Sequence, residues 1–172
     1  MNLSKKKAAP SFDCYRFEEL SGLLLYKALK LRSDIFVVEQ NCVYPDLDNK
    51  DIQPDTLHLL LEVEQAAQTN NSPHLSNNVV AYARCIAPGV SYTGSSIGRV
   101  AVAAAARGNG VAGLLMQKAM SLCKQNWPEH NIQIGAQVYL QNFYTQLGFT
   151  PFSEPYDEDG IMHIDMEFKT SL

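Results

Sequence analysis

Arg107-Gly108-Asn109-Gly110-Val111-Ala112 is the stretch that decides the fold, because of what lies on either side of it. The run before it, residues 97–102, is short and rich in β-branched side chains, which is typical of a strand. The apolar positions after it recur at helical spacing, at Val111, Leu114, Leu115, Ala119, Leu122 and Cys123. The predicted order is therefore strand, glycine-rich turn, helix.

A turn of this kind is suited to bind an anion. Its backbone N–H groups point outward at the positive end of a helix dipole. Gly108 and Gly110 would let a phosphate approach the backbone with no Cβ in the way, and the guanidinium of Arg107 adds a bidentate donor. Neither the Gly-Lys-Ser/Thr of a nucleotide-triphosphatase loop nor the second acidic residue of a dinucleotide fold is present. Taken alone, the turn also fits a simple helix start.

Two motifs in this order resemble the GNAT N-acetyltransferase superfamily. Arg107-x-x-Gly110-x-Ala112 is similar to its motif A, Arg/Gln-x-x-Gly-x-Gly/Ala, and residues 143–149 resemble its Tyr-x-x-Leu-Gly-Phe. Longer strings resemble its ElaA-like branch, namely residues 31–42, 46–51 with 58–59, and 156–164. The resemblance covers the chain from residue 20 to residue 170.

The resemblance implies a GNAT fold of the α/β class: a central, mixed, mostly antiparallel sheet, splayed at the cofactor site, with helices on both faces. The residue patterns predict a layout of the same kind. Strands are predicted at residues 12–17, 58–64, 79–86, 97–102, 132–136, 149–152 and 161–168, and helices at 20–35, 111–125 and 139–147. Asp159-Gly160 is a hairpin signal. We expect a disordered tail over residues 1–11 and a single acetyltransferase domain over 12–172.

Composition narrows the partners. The net charge of −4 argues against nucleic acid as the main partner, and no apolar run is long enough to span a membrane. The four cysteines, Cys14, Cys42, Cys85 and Cys123, are scattered without metal-ligand spacing. We therefore expect no metal, reduced thiols in the cytoplasm, and a monomer or homodimer.

The resemblance implies acetyl-coenzyme A as co-substrate. The N–H of Val100 would bond the thioester carbonyl and that of Val102 the pantetheine arm, with Ala101 between them in the cofactor strand. The pyrophosphate would be wrapped by the turn and the helix start, Arg107, Gly108, Asn109, Gly110, Val111, Ala112 and Gly113. Gln137 stands where many relatives have an Asn that touches the cofactor. On its residues alone, the strand would be read as a buried strand without a ligand.

Tyr144 is the predicted general acid, in the position that the family uses for this role. The thiol that leaves has a pKa of about 8.5, and a phenol with a pKa near 10 can supply the proton. The alternative is an aromatic packing residue, since Tyr139 and Phe143 belong to the same short helix.

No general base is evident. Histone-acetylating relatives carry a Glu where this chain has Ser96. We name His58 and His163 as candidate bases because imidazole titrates near neutrality without tuning, with Glu62 and Glu39 as further possibilities. A structural role for either histidine, or a water chain in place of a base, stays open.

Arg32 and Glu39 are predicted to bind the acceptor, an amine of a small molecule or peptide, or to act in structure. The nearby acids Asp46, Asp48, Asp51 and Asp55 allow three interpretations. They could form a cation loop, although the Gly and distal Glu of a calcium hand are missing; a solvated turn; or a wall facing a cationic acceptor.

The leading hypothesis is an acetyl-coenzyme A-dependent N-acetyltransferase that works by direct attack through a tetrahedral intermediate. A non-catalytic acyl-coenzyme A sensor is the first alternative, kept open by Ser96. The second is acyl transfer of the acyl-homoserine lactone synthase type, since those enzymes have a helix bearing Arg and Phe somewhat like Arg32 and Phe36.

Overall fold

In the computed structural model, residues 11–64 and 77–170 are described, so residues 1–10 of the predicted tail, and residues 65–76 and 171–172, lie outside them. The described residues form one sheet of eight strands. The strands are β1 (Asp13–Tyr15), β2 (Leu57–Glu64), β3 (Asn77–Ile86), β4 (Ser95–Val102), β5 (Ile132–Gln137), β6 (Thr150–Pro151), β7 (Tyr156–Glu158) and β8 (Ile161–Phe168). Their order across the sheet is β1-β2-β3-β4-β5-β8-β6, and β7 pairs with β8.

Strand pairing follows the predicted class. All described neighbours are antiparallel except β4 and β5, which run parallel. The chain must cross over to make that one parallel pair, and the crossover is the helix that follows the glycine-rich turn. The prediction of a mixed, mostly antiparallel sheet is confirmed.

Helices cover both faces of the sheet, as predicted. On one face lies α1 (Gly22–Arg32), which begins where the Ser21 hydroxyl accepts the N–H of Leu24 at 3.1 Å. On the other lies α2 (Val111–Asn126), and a short α3 (Gln141–Gln146) follows β5. Alternation along β2 supplies both interfaces, since Leu60 packs in the α1 cluster while Leu59 packs in the α2 cluster.

The helix that starts as α1 does not end at Arg32 but widens into a π-helical segment, Ser33–Glu39. The N–H of Gln40 reaches back to the carbonyl of Ile35 at 3.0 Å, which is the wider i to i−5 bond. Periodicity could not separate this segment from an ordinary helix end. Short π segments are frequent at functional sites, and this one borders the cavity described below.

Two predicted strands are shorter than expected, and one further strand was not predicted. The first strand is only Asp13–Tyr15, because Phe17–Glu19 forms a 3₁₀ turn. The predicted strand at residues 149–152 shrinks to Thr150–Pro151, an edge pairing in which Pro151 has no N–H to donate. The hairpin at Asp159-Gly160 is confirmed, and the strand before it, β7, was not predicted.

Candidate functional site

A gap opens in the middle of the sheet between the two parallel strands. β4 and β5 pair only at Ser95↔Ile132 and Ser96↔Gln133, although they continue to Val102 and Gln137. Beyond those pairs they diverge, and a cavity of about 820 Å³ is lined by both strands. The splay that the resemblance implies is therefore present in this sheet.

A β-bulge shapes the β4 side of the gap. Gly98 pairs with Arg84 and Ala101 with Tyr82, so two β4 residues oppose the single residue between them on β3. The bulge includes Arg99, whose φ of 52° is in the left-handed region that non-glycine residues seldom adopt. Backbone held in such a conformation is a common feature of functional sites.

Past the bulge, alternate backbone groups of β4 face the gap. The N–H of Ala103 bonds the Val80 carbonyl on β3 at 2.8 Å, and backbone groups two residues apart point the same way. The N–H groups of Val100 and Val102 therefore point away from β3, toward the gap. Ala101 points the opposite way, and its side chain is 1% exposed in the α1 cluster. Its position does not support the predicted cofactor contact.

The glycine-rich turn has the geometry expected of an anion site. Gly108 and Gly110 have φ values of 76° and 75°, and a Cβ built on either meets nothing within 4 Å, so the turn faces open space. Gly110 immediately precedes α2, so the first N–H groups of that helix, from Val111, Ala112 and Gly113, point out of the helix without intrahelical acceptors.

Arg107 already holds a carboxylate. Its two terminal nitrogens bond the Glu39 carboxylate at 2.7 and 2.9 Å, and its Nε donates to the Val102 carbonyl at 2.8 Å. The bonds from Arg107 lower the pKa of Glu39. Both side chains line the cavity. Sequence analysis assigned them to different ligands, whereas the fold pairs them with each other.

Gln137 lies at the end of β5, and a hydrogen bond joins its side chain to Gln40, the residue that follows the π-helical segment. Its amide nitrogen donates to Gln40 Oε1 at 3.0 Å, and its amide oxygen accepts the Tyr139 hydroxyl at 2.6 Å. All three side chains line the cavity. The position fits the predicted cofactor contact, with the amide bonded to protein groups in the free chain.

Tyr144 lines the cavity from α3 and is 7% exposed. Its ring packs edge-on against Phe143 and Phe149. Within residues 11–64 and 77–170, no partner lies in hydrogen-bond range of its hydroxyl. Burial raises the pKa of Tyr144 to about 12, so the phenol is protonated throughout the neutral range. These are the properties of a proton donor.

His163 lies across from Gln137 on β8 and also lines the cavity. Its Nδ1 lies 2.8 Å from the Ile161 carbonyl, which can only accept, so Nδ1 carries the hydrogen. Neutral His163 therefore keeps a free lone pair on Nε2. The Glu158 carboxylate lies 3.7 Å from Nδ1, and the ring of Tyr156 stacks on the imidazole.

His58 is not part of the cavity, and its position favours the structural alternative over the predicted role as a base. It is 1% exposed, with one ring nitrogen 2.8 Å from the Tyr82 hydroxyl and the other 3.0 Å from the Asp51 carbonyl. Burial lowers its pKa, and neither nitrogen is available to an acceptor. Of the further candidates, Glu62 pairs with Lys27 away from the cavity, and Glu39 is held by Arg107. Ser96, at the position where histone-acetylating relatives carry a Glu, lines the cavity.

The acidic segment is a buried ion network and not a solvated loop. Arg32 bonds Asp51 at 2.7 Å, Arg84 bonds Asp48 at 2.7 Å through both terminal nitrogens, and Arg99 bonds Asp46 at 2.7 Å; further bonds join the three pairs. Burial opposes ionisation of Asp48, but the bonds from Arg84 outweigh it and lower its pKa to about 2. Asp55 is separate and pairs with Arg16 at the surface.

Arg32 is 1% exposed within this network and does not line the cavity, which favours the structural alternative over acceptor binding. Arg84 and Arg99 were not predicted as members of the network. A signal for Arg84 was present, because a charged residue inside the apolar run 79–86 cannot be buried without a partner of opposite charge. Its Nε is the one buried side-chain nitrogen of the described residues without a partner.

Within the described part of the chain, no group of three or more His, Cys, Asp or Glu side chains is arranged to hold a metal ion. No described helix has the length and apolar character needed to cross a membrane.

Comparisons with known proteins agree with this geometry. A family model described as an acetyltransferase (GNAT) domain matches residues 45–170. Protein ElaA of Escherichia coli is 42% identical over 148 residues, covering 86% of this chain and 89% of that protein. Its crystal structure superposes with a TM-score of 0.79 at 38% identity, over 94% of this chain and all of that one.

Two further solved structures are informative. An acyl-CoA N-acyltransferase from Pseudomonas aeruginosa has a TM-score of 0.80 at 32% identity, over 94% of this chain and 100% of that one. A CoA-dependent acyl-homoserine lactone synthase has a TM-score of 0.66 at 16% identity, over 94% of this chain and 84% of that one. At that identity the synthase shares the fold alone.

Proposed function

This chain belongs to the GNAT acetyltransferase family, whose members use acyl-CoA, and we propose that it transfers an acetyl group from acetyl-CoA to an amine of a small molecule or peptide. One observation carries the proposal. The gap between β4 and β5 joins the two ends of the glycine-rich turn, Arg107 and Ala112, to Tyr144 and His163 in a single cavity. A thioester lying along β4 would thus meet a proton donor and a proton acceptor in the same space.

The cofactor would bind mainly to backbone. The N–H groups at Gly108, Gly110 and the start of α2 suit the pyrophosphate, and those of Val100 and Val102 suit the thioester carbonyl and the pantetheine arm. Arg107 could add its guanidinium only by exchanging the Glu39 carboxylate for a phosphate, since its terminal nitrogens hold that carboxylate in the free chain.

The reaction then follows from the groups around the gap. The neutral amine attacks the thioester carbonyl carbon, a C–N bond forms, and the carbonyl oxygen becomes an oxyanion that the N–H of Val100 stabilises. When the intermediate collapses, the C–S bond breaks and the thiolate takes the proton of Tyr144. The new amide nitrogen still carries one extra proton from the amine; it gives this proton up, through water in the cavity, to the Tyr144 phenolate, which restores the phenol.

His163 is the proposed base, because its Nε2 lone pair is the free imidazole position in the cavity. It accepts the proton that the acceptor ammonium must lose before attack, and Glu158 stabilises the resulting imidazolium. A His163→Gln variant should lower kcat about tenfold or more with little change in the KM for acetyl-CoA. An unchanged kcat would remove this step from the proposal.

Four free cysteines support a reducing compartment, and we place the reaction in the cytoplasm. Cys85 and Cys123 are both fully buried in the same core cluster. A hydrogen bond between the two thiols, together with burial, raises the pKa of Cys85. A buried thiol with a raised pKa is inert, which fits a structural role.

Replacing Tyr144 with Phe tests the proposal most sharply, because it removes one hydroxyl and keeps the ring packing. The rate of CoA release should fall roughly a hundredfold or more, the usual worth of a positioned acid, while acetyl-CoA affinity stays near that of the native protein. Since the pKa of Tyr144 is about 12, the native rate should show no alkaline loss from this group below about pH 11.

Tyr26→Phe is the matched control, because Tyr26 is 65% exposed on α1 and does not line the cavity. It should leave the rate unchanged. Full activity in Tyr144→Phe would assign the proton to water or another group. Binding of acetyl-CoA without turnover in the native protein, with any amine, would favour the sensor instead.

A further inference from the structure

The acceptor end of the cavity has a basic wall that its own acids do not fully neutralise. We define this end as the part lined by segment 42–50, the β4 bulge and the β7–β8 hairpin. Lys50 lines it, is only partly exposed, and has no salt-bridge partner among residues 11–64 and 77–170. Its backbone N–H bonds Asp48 at 3.1 Å, which places it beside the buried ion network.

Arg99 adds a second donor to the same wall. Its Nε and one terminal nitrogen bond Asp46 and Asp48, whereas the other terminal nitrogen, Nη1, has no hydrogen-bond partner in the described residues. The side chain is 22% exposed and lines the cavity. The bulge, with Arg99 at a φ of 52°, sets the direction of this side chain. The guanidinium thus keeps free N–H groups at a surface that a ligand can reach.

The charge count leaves Lys50 uncompensated. Three arginines, Arg32, Arg84 and Arg99, face three aspartates, Asp46, Asp48 and Asp51, so the network itself is neutral. Lys50 therefore adds a net positive charge to this wall. A charge in a cleft with low-dielectric walls acts more strongly on a ligand than one on an open surface.

The β7–β8 side of the acceptor end carries acidic side chains in place of basic ones. Glu158 and Asp159 belong to the β7–β8 hairpin and line the cavity together with His163. Cys42 joins the two sides, since its thiol lies 3.4 Å from the Asp159 carbonyl. One side of the acceptor end is thus cationic, and the other combines carboxylates with the imidazole that would take a proton from the amine.

We infer that the acceptor is a small amphoteric amine, an α-amino acid or close analogue, whose carboxylate binds Lys50 and Arg99 Nη1 while its amine faces His163. This inference rests on the proposed function and adds the class of acceptor. Ammonium and guanidinium groups bind carboxylates through short, charge-assisted hydrogen bonds. A polyamine would bring a second cation to Lys50, which is unfavourable.

Matched pairs of acceptors test the inference. Phenylalanine and phenethylamine, leucine and 3-methylbutylamine, and lysine and cadaverine each differ by one carboxylate. CoA release from acetyl-CoA should have a kcat/KM at least tenfold higher for the amino acid of a preferred pair, which corresponds to about 1.4 kcal/mol. In Lys50→Met the KM for the amino acid should rise about tenfold, and the preference within the pair should disappear.

Two further variants separate this role from a structural one. Lys50→Arg should restore most of the preference because it restores the positive charge. Lys118→Met removes an exposed lysine of α2 outside the cavity and should behave like the native protein. The KM for acetyl-CoA should be the same in all four proteins.

The outcomes distinguish the two proposals. If the decarboxylated amines are used as well as the amino acids, or if Lys50→Met keeps the preference, the inference is wrong and the acetyltransferase proposal stands. If a peptide amine releases CoA but no member of any pair does, only the inference fails. If acetyl-CoA is bound but neither the pairs nor peptide amines release CoA, the proposed function fails and the inference fails with it.

Discussion

The two halves of the cavity use different parts of the chain: backbone N–H groups on the cofactor side, and charged side chains on the acceptor side. On the cofactor side, the glycine-rich turn is exposed, has open space around Gly108 and Gly110, and offers backbone N–H groups. On the acceptor side, the wall depends on a buried network of side chains, in which Arg32 and Arg84 are 1% and 2% exposed. The first half depends on the conformation of the chain, the second on charges that must all be present.

The difference separates binding from stability. A backbone turn in open space contributes little to the free energy of unfolding, so it is free to be optimised for a ligand. A buried network carries a large desolvation cost, which its members offset only together. Damage to the cofactor side should therefore weaken binding in a folded protein, whereas damage to the acceptor side should first destabilise the fold.

The largest expected effect is on the acceptor side. Asp51→Ala removes the carboxylate that bonds both Arg32 and Arg84 at 2.7 and 3.0 Å, leaving two buried guanidinium groups undercompensated. The free energy of unfolding should fall by about 3 to 5 kcal/mol. Urea unfolding, followed by circular dichroism, measures this loss.

Asp55→Ala is the matched control, because it removes the same side chain from an exposed pair with Arg16. Its effect should be much smaller, since exposed ion pairs contribute little. Equal midpoints for Asp51→Ala and Asp55→Ala would show that the buried network does not hold the fold.

A smaller effect, on binding instead of stability, is expected on the cofactor side. Gly110→Val places a β-branched side chain at a φ of 75° and at the surface where a pyrophosphate would lie. Acetyl-CoA should bind at least tenfold more weakly, a difference of about 1.4 kcal/mol. Calorimetric titration of the folded variant measures it.

The control for backbone strain is Gly89→Val. Gly89 has a φ of 83°, meets nothing within 4 Å at its Cβ position, and does not line the main cavity. Gly89→Val should lower the free energy of unfolding to a similar extent as Gly110→Val and keep the acetyl-CoA affinity of the native protein. If both variants lose affinity equally, strain and not the loop position accounts for the result.

The same contrast explains what the sequence could predict. A turn with glycines at fixed offsets before a helical pattern is local, so Arg107 to Ala112 are recognisable without neighbours. The fold class and the hairpin at Asp159-Gly160 also follow from local signals. The turn, the helix after it and the class of the sheet were therefore predicted, whereas the pairing of Arg107 with Glu39 and the direction of Ala101 were not.

The acceptor side depends on which distant residues the sheet brings together. His58 was a candidate base because imidazole titrates near neutrality. In the fold, however, its two ring nitrogens form hydrogen bonds with the Tyr82 hydroxyl and the Asp51 carbonyl. The acids of segment 46–51 were open to three interpretations, none of them an ion network, because their partners on α1, β3 and β4 are 14 to 53 residues away. Neither the π-helical segment nor the bulge at Arg99 has a sequence signal of its own.

The central claim is that the gap between β4 and β5 is a site of acyl transfer and not only of acyl-CoA binding. CoA release from acetyl-CoA by the native protein, measured with and without an amine acceptor and compared with calorimetric binding of acetyl-CoA, tests it most directly. We predict that acetyl-CoA binds and that CoA release depends on the amine, with one acetylated amine formed for each CoA. Saturable binding with no amine-dependent release across amino acids, simple amines and peptides would contradict it.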